Sequence, residues 1–137
     1  MRRGFTLIEL LVVLVILGLL ASIAGVAYFS RVDAARLQKV EADFATLATA
    51  LNLYRLDNGT LPTSAQGLKA LRERPRLPPP PRRYKSGGYV RDLPNDPWNR
   101  PYLYLFPARG TAQDYDLYTL GADGEPGGEG QDADIHH

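Results

Sequence analysis

The chain has 137 residues, with 16 Lys and Arg against 15 Asp and Glu, 45% hydrophobic residues, two His and no Cys. This near-neutral balance lacks the concentrated basic excess of a nucleic-acid binder, and the missing thiols exclude disulfides and thiolate metal centres. The length allows one small domain plus an N-terminal third of different character.

The chain opens MRRGFTLIELLVVLVILGLLAS, and from Leu10 to Phe29 twenty consecutive residues carry no ionisable group except tyrosine. As a helix that run spans ~30 Å, the hydrocarbon thickness of a bilayer. It is too long for the apolar region of an ordinary secretory signal, so a retained transmembrane helix is expected. Arg2 and Arg3 in front of it place the N-terminus in the cytoplasm and everything after Phe29 across the membrane; in a bacterium that would be the inner membrane, with the bulk of the chain facing the periplasm. Glu9 stands at the threshold of the span.

The helical pattern continues past the apolar run. Val40, Phe44, Leu47, Leu51 and Tyr54 recur at spacings of four and three and draw one apolar stripe. Arg31, Asp33, Arg36, Lys39, Glu41 and Asp43 form a solvated face. Asn58-Gly59 and Pro62 stop the helix, so Thr6–Asp57 is predicted as one rod of ~78 Å. Thr63 and Gln66 have capping-box spacing and lead into a short helix through Leu68 and Leu71. The proline- and arginine-rich run from Glu73 to Gly88 predicts a semi-rigid loop, and the basic loop from Arg72 to Arg91 could contact an acidic neighbour or only solvent. Strands are predicted over Tyr102–Phe106 and Tyr115–Leu120, joined by a hairpin through Gly110. Trp98, in the turn Asp96-Pro97-Trp98-Asn99, is expected to plug the core. The fold class is therefore α+β, a long N-terminal helix (transmembrane half plus amphipathic half) packed against a small C-terminal antiparallel β-sheet.

Catalysis has no support. His136 and His137 sit at the extreme end, no nucleophile and base are paired, and no glycine segment matches a phosphate loop or a dinucleotide fingerprint. The tail GADGEPGGEGQDAD packs Asp123, Glu125, Glu129, Asp132 and Asp134 among glycines. Clustered hard oxygens suit calcium, but the spacing is not that of an EF-hand, and a solvated acidic tail explains the same residues.

Gly4-Phe5-Thr6-Leu7-Ile8-Glu9, a short basic leader ending in glycine before FTLIELLVVLVILG, resembles the signature of the bacterial type IV pilin-like superfamily. With YRLDNGTLPTSAQGLKAL, GGYVRDLPNDPWNRPYLY and YDLYTLGADG, the chain looks like a member of the major-pseudopilin family of bacterial type II secretion systems, almost end to end. A type IV pilus, competence or minor pseudopilin subunit is the alternative. The resemblance implies a structural subunit, not an enzyme. It implies a leader over 1–4, a transmembrane and filament-core helix over 5–29 and a periplasmic head over 30–137. It also implies cleavage by a prepilin peptidase between Gly4 and Phe5, methylation of the new Phe5 amine, and homo-oligomerisation into a helical pseudopilus that pushes folded proteins through the outer membrane. Minor pseudopilins and an inner-membrane assembly platform are the implied partners. Glu9 maps onto the family glutamate that pairs with a neighbour's N-terminal amine. A carboxylate in hydrocarbon costs ~3 kcal/mol, recovered only when the chains are correctly staggered. The same resemblance implies Ca2+ held by the Leu120 carbonyl and the Asp123 and Asp134 side chains, with Asp132 or a neighbouring backbone oxygen completing the shell. Two departures stand out. Val26 occupies a position where many pilin-like chains have proline, and the chain ends Asp134-Ile135-His136-His137 where the family often continues with an aromatic residue.

Overall fold

The computed structural model describes residues 5–109 and 113–137, leaving aside the side chains of 23–30. A single helix, α1 (Leu7–Asn58), is followed by a 3-10 turn at Leu68–Leu71 and the strands β1 (Leu103–Leu105), β2 (Asp116–Thr119) and β3 (Ile135–His136). The chain divides into two compact units, Met1–Arg36 and Leu37–His137.

In the first unit α1 starts one residue after Thr6, whose hydroxyl accepts from the Glu9 N–H at 3.3 Å while the Glu9 carboxylate accepts from the Thr6 N–H at 3.3 Å. Two helix-start donors are thus satisfied reciprocally. The side chains of 5–22 are all exposed, from 48% at Val13 to 81% at Leu7 among the large apolar residues. Among the described residues no helix is long and apolar enough to cross a membrane. The expected transmembrane half, and with it the inner-membrane placement with a cytoplasmic N-terminus and periplasmic head, is corrected accordingly.

The second unit follows the predicted stripe. Val40, Phe44, Leu47, Leu51 and Tyr54 are 0–4% exposed and form one core with Leu61, Ala70, Leu71, Tyr102, Tyr104, Tyr115 and Leu117. Phe44 meets Tyr102, the residue before β1, with ring centroids 5.3 Å apart, and the core shared with Tyr104 and Leu117 packs the helix against the sheet. α1 ends at Asn58, where the Gly59 N–H returns to the Arg55 carbonyl at 2.7 Å with Gly59 at φ +77°. The Thr63–Gln66 capping box forms in both directions at 3.0 and 3.2 Å, but the segment it opens winds only as a 3-10 turn.

β1 and β2 pair antiparallel with Tyr104 opposite Leu117. Gly110, expected to close their connection, lies outside the described residues. β2 also pairs with β3 through Thr119 and Ile135, giving the order β1-β2-β3. The run Glu73–Gly88 has no regular element and is held by side chains. The Gln66 amide donates to the Leu77 and Pro79 carbonyls at 2.8 Å each, and Asn58 Oδ1 accepts from the Arg83 N–H at 3.0 Å. Trp98 departs from expectation. It is half-buried and stands outside the core cluster, because its turn belongs to a polar network described below.

Candidate functional site

The C-terminal loop between β2 and β3 is built on a buried carboxylate. Asp96, 4% exposed, accepts from the Trp98 N–H at 3.0 Å and the Arg100 N–H at 2.8 Å through Oδ1. Its Oδ2 accepts from the Thr119 hydroxyl at 2.6 Å and lies 3.7 Å from Arg100 Nε. A buried charge is tolerated only with such partners. Arg100 then reaches the loop itself, donating through Nη2 to the Gly121 carbonyl and lying against Gly124, where any side chain would collide with the guanidinium. The DPWNR turn thus clamps the first residues after β2.

The loop is stitched across its neck by Ala122 N–H to the Gln131 carbonyl at 2.9 Å and by a two-way link between Asp134 and Gly127. Gly121 has φ +65°, and a Cβ there would lie 2.6 Å from the Asp132 carbonyl oxygen, so the two limbs touch only because that residue is glycine. The Leu120 carbonyl accepts from Gly124 N–H at 3.3 Å, and Asp123 Oδ1 from Glu125 N–H at 3.0 Å. Asp134 Oδ2 accepts from Gly127 N–H at 3.0 Å, while its Oδ1 is buried with no hydrogen-bond partner among the described residues. Asp132 is exposed and contributes its backbone to the neck. Among the described residues no three His, Cys, Asp or Glu side chains gather closely enough to hold a metal by themselves. A cation here would need the mixed donor set of carbonyls and carboxylates that calcium accepts. The orphaned, buried Asp134 Oδ1 fits such a role.

The N-terminal residues form a separate site. Glu9 is exposed and, among the described residues, engages Thr6 through its backbone N–H and hydroxyl. Thr6-Leu7-Ile8-Glu9 carries the spacing of a capping box, a signal that an explanation of Glu9 through neighbouring chains alone overlooks. Phe5 is 80% exposed, and Gly4 lies outside the described residues.

A long leading helix with an exposed apolar half, carrying a small sheet on its second half, is the architecture of a pilin-like filament subunit. Residues 1–25 match the prokaryotic N-terminal methylation motif and residues 27–137 the type II secretion system protein G family. The type II secretion system core protein G of Pseudomonas aeruginosa is 48% identical over 134 residues, spanning 98% of this chain and 93% of that protein. The core protein G of Vibrio cholerae is likewise 48% identical, over 98% of this chain and 90% of its own length. The crystal structure of the major pseudopilin from the type 2 secretion system of enterohaemorrhagic Escherichia coli superposes with a TM-score of 0.70 at 42% identity, covering 79% of this chain and 90% of that one. The chain belongs to the type II secretion system protein G family, the major pseudopilins. It is thus a structural, non-catalytic subunit of the secretion pseudopilus, which sets aside the type IV pilus, competence and minor pseudopilin alternatives.

Proposed function

We propose that the chain polymerises through the apolar half of α1 into a helical filament whose growth pushes folded proteins outward across the outer membrane. The observation that carries this is the exposure of every residue from 5 to 22 in the isolated chain. An apolar surface this continuous requires a cover. Because residues 10–21 are apolar on all sides of the helix, several sister helices cover them better than one partner does. Each covered Leu, Ile or Val contributes about 1.5–3 kcal/mol, enough in sum to exceed the ~4–15 kcal/mol cost of association.

A prepilin peptidase cleaves between Gly4 and Phe5 and methylates the Phe5 amine. Glu9 pairs with the amine of a neighbouring chain and so fixes the stagger. Minor pseudopilins and an assembly platform complete the partners. The loop 120–134 holds Ca2+ through the Leu120 carbonyl and the Asp123 and Asp134 carboxylates, with Asp132 or a neighbouring backbone oxygen closing the shell. The bound ion supplies folding energy to a head that has no disulfide. Buried Asp134 Oδ1 supports this reading.

The test is expression with a matching peptidase and assembly system, followed by shearing and quantification of filaments. The parent chain yields filaments and Glu9→Ala yields few. Equal yield from both contradicts the pairing role of Glu9.

A further inference from the structure

The near-neutral charge of the whole chain conceals a segregation. Residues 72–91 hold seven Lys and Arg against one Glu, whereas residues 120–134 hold five Asp and Glu and no Lys or Arg. The two stretches lie at different levels of α1. The part of the basic stretch at Arg82 and Arg83 sits over its C-terminal end, with Arg83 N–H on Asn58 and the Tyr89 hydroxyl on Asp57 at 3.0 Å, while Arg91 lines a groove beside residues 45–53. The acidic loop is tied instead, through Arg100 and Asp96, to the segment 95–102, which contacts the helix at Lys39 and Asp43. The fourteen residues between positions 43 and 57 correspond to ~21 Å of helix. That exceeds the ~8 Å screening length, so Arg82 and Arg83 and the acidic loop do not neutralise each other within one chain.

Both regions present charge outward. Arg74, Arg76, Arg82, Arg83 and Lys85 are exposed, and among the described residues the ion pair of the basic stretch is Arg72 with Asp92 at 3.6 Å. Glu125 and Glu129 are exposed, belong to no ion pair among the described residues, and lie outside the proposed calcium ligands. The arginines are also preorganised. Prolines 78–81, the Gln66 amide and Asn58 fix the backbone that carries them, which lowers the ordering cost of docking.

We propose that the basic stretch 72–91 of one copy docks on the acidic loop 120–134 of the next copy in the filament. This rests on the assembly reading above and names a second surface for it. A patch that fits a different patch on an identical chain is heterologous, and repeating it produces an open helical polymer rather than a closed dimer. Each exposed ion pair is weak, but several Arg–carboxylate pairs repeated at every subunit bias register and add to the apolar contact.

Charge reversal with rescue tests this in the assembling full chain. Arg82→Glu with Arg83→Glu, and separately Glu125→Lys with Glu129→Lys, each lower sheared-filament yield about tenfold at ~0.1 M salt while the melting temperature stays at the parental value. Combining all four substitutions restores yield to about twofold of parent. Parental yield from either one-sided reversal, or no recovery in the combined chain, overturns the contact. Loss of secretion with normal filaments in the Arg82/Arg83 variant also overturns it and assigns the basic stretch to another protein. If the parent chain itself forms no filaments, the assembly reading fails. Filaments indifferent to the reversals refute only the contact.

Discussion

Replacing Asp96 by alanine removes the acceptor around which the C-terminal loop is organised. The substitution strips partners from the Thr119 hydroxyl, 2% exposed, and from the Trp98 and Arg100 N–H groups, and it releases the guanidinium that holds Gly121. Hydrogen bonds to a charged group contribute about 1.5–3 kcal/mol each, but those sharing one carboxylate are not additive. Loss of a partner from a buried charged network costs about 3–5 kcal/mol, and that is the expected destabilisation. Against a total of ~5–15 kcal/mol for a domain, this is a large fraction of the stability of the head. Thr119→Val, which removes one of the four partners, should cost about 1–2 kcal/mol. The assay is urea unfolding followed by the fluorescence of Trp98, the single tryptophan, which lies inside the affected turn. A loss below about 1 kcal/mol for Asp96→Ala, or equal losses for the two variants, refutes the view that the loop depends on this carboxylate.

Leu51→Ala, at a 0% exposed position on the core stripe, should cost about 2–5 kcal/mol in the same assay. Burial, then the hydrogen bond to Asp43, raises the Tyr102 hydroxyl above its ordinary value; burial, then neighbouring Tyr115, does the same for Tyr104; and Tyr84 is pushed up to about 12, chiefly by burial. The folded state therefore holds these protons more tightly than the unfolded state. Stability is full below the unfolded value near 10 and falls as pH rises through the folded values, by up to about 1.4 kcal/mol per pH unit for each fully buried tyrosine, measurable as a declining melting temperature between about pH 10 and 12. Calcium at a hundredfold excess over Kd should add about 2.7 kcal/mol, removed by EDTA. Asp123→Ala should abolish the difference, and a melt unchanged by EDTA in the parent would contradict the calcium proposal.

The long helix was legible because two local signals agree. The 4-3 spacing of Val40 to Tyr54 marks one buried face, and Asn58-Gly59 marks a stop that the Gly59 conformation confirms to within one residue. The strands were legible as elements but came out shorter, because only the central residues of each run pair in register. β3 was missed: two residues carry no period, and Ile135-His136 pairs with Thr119 and Tyr118 across a long loop. Trp98 misled because an indole usually seeks the core, whereas this turn is organised by the Trp98 and Arg100 N–H groups that serve Asp96. The Asp96–Thr119 link joins positions 23 apart in sequence, which no local pattern encodes. At the N-terminus the apolar run was plain, but hydropathy does not distinguish lipid from sister helices as its cover, and among the described residues no helix is long and apolar enough to cross a membrane.

Helical reconstruction of sheared filaments tests the assembly most directly. Residues 7–22 of neighbouring copies should pack together along the filament axis, with the residue 37–137 heads outside them and each Glu9 beside an adjacent N-terminal amine. Filaments in which residues 7–22 remain at the surface, with the heads forming the central contacts, would contradict it.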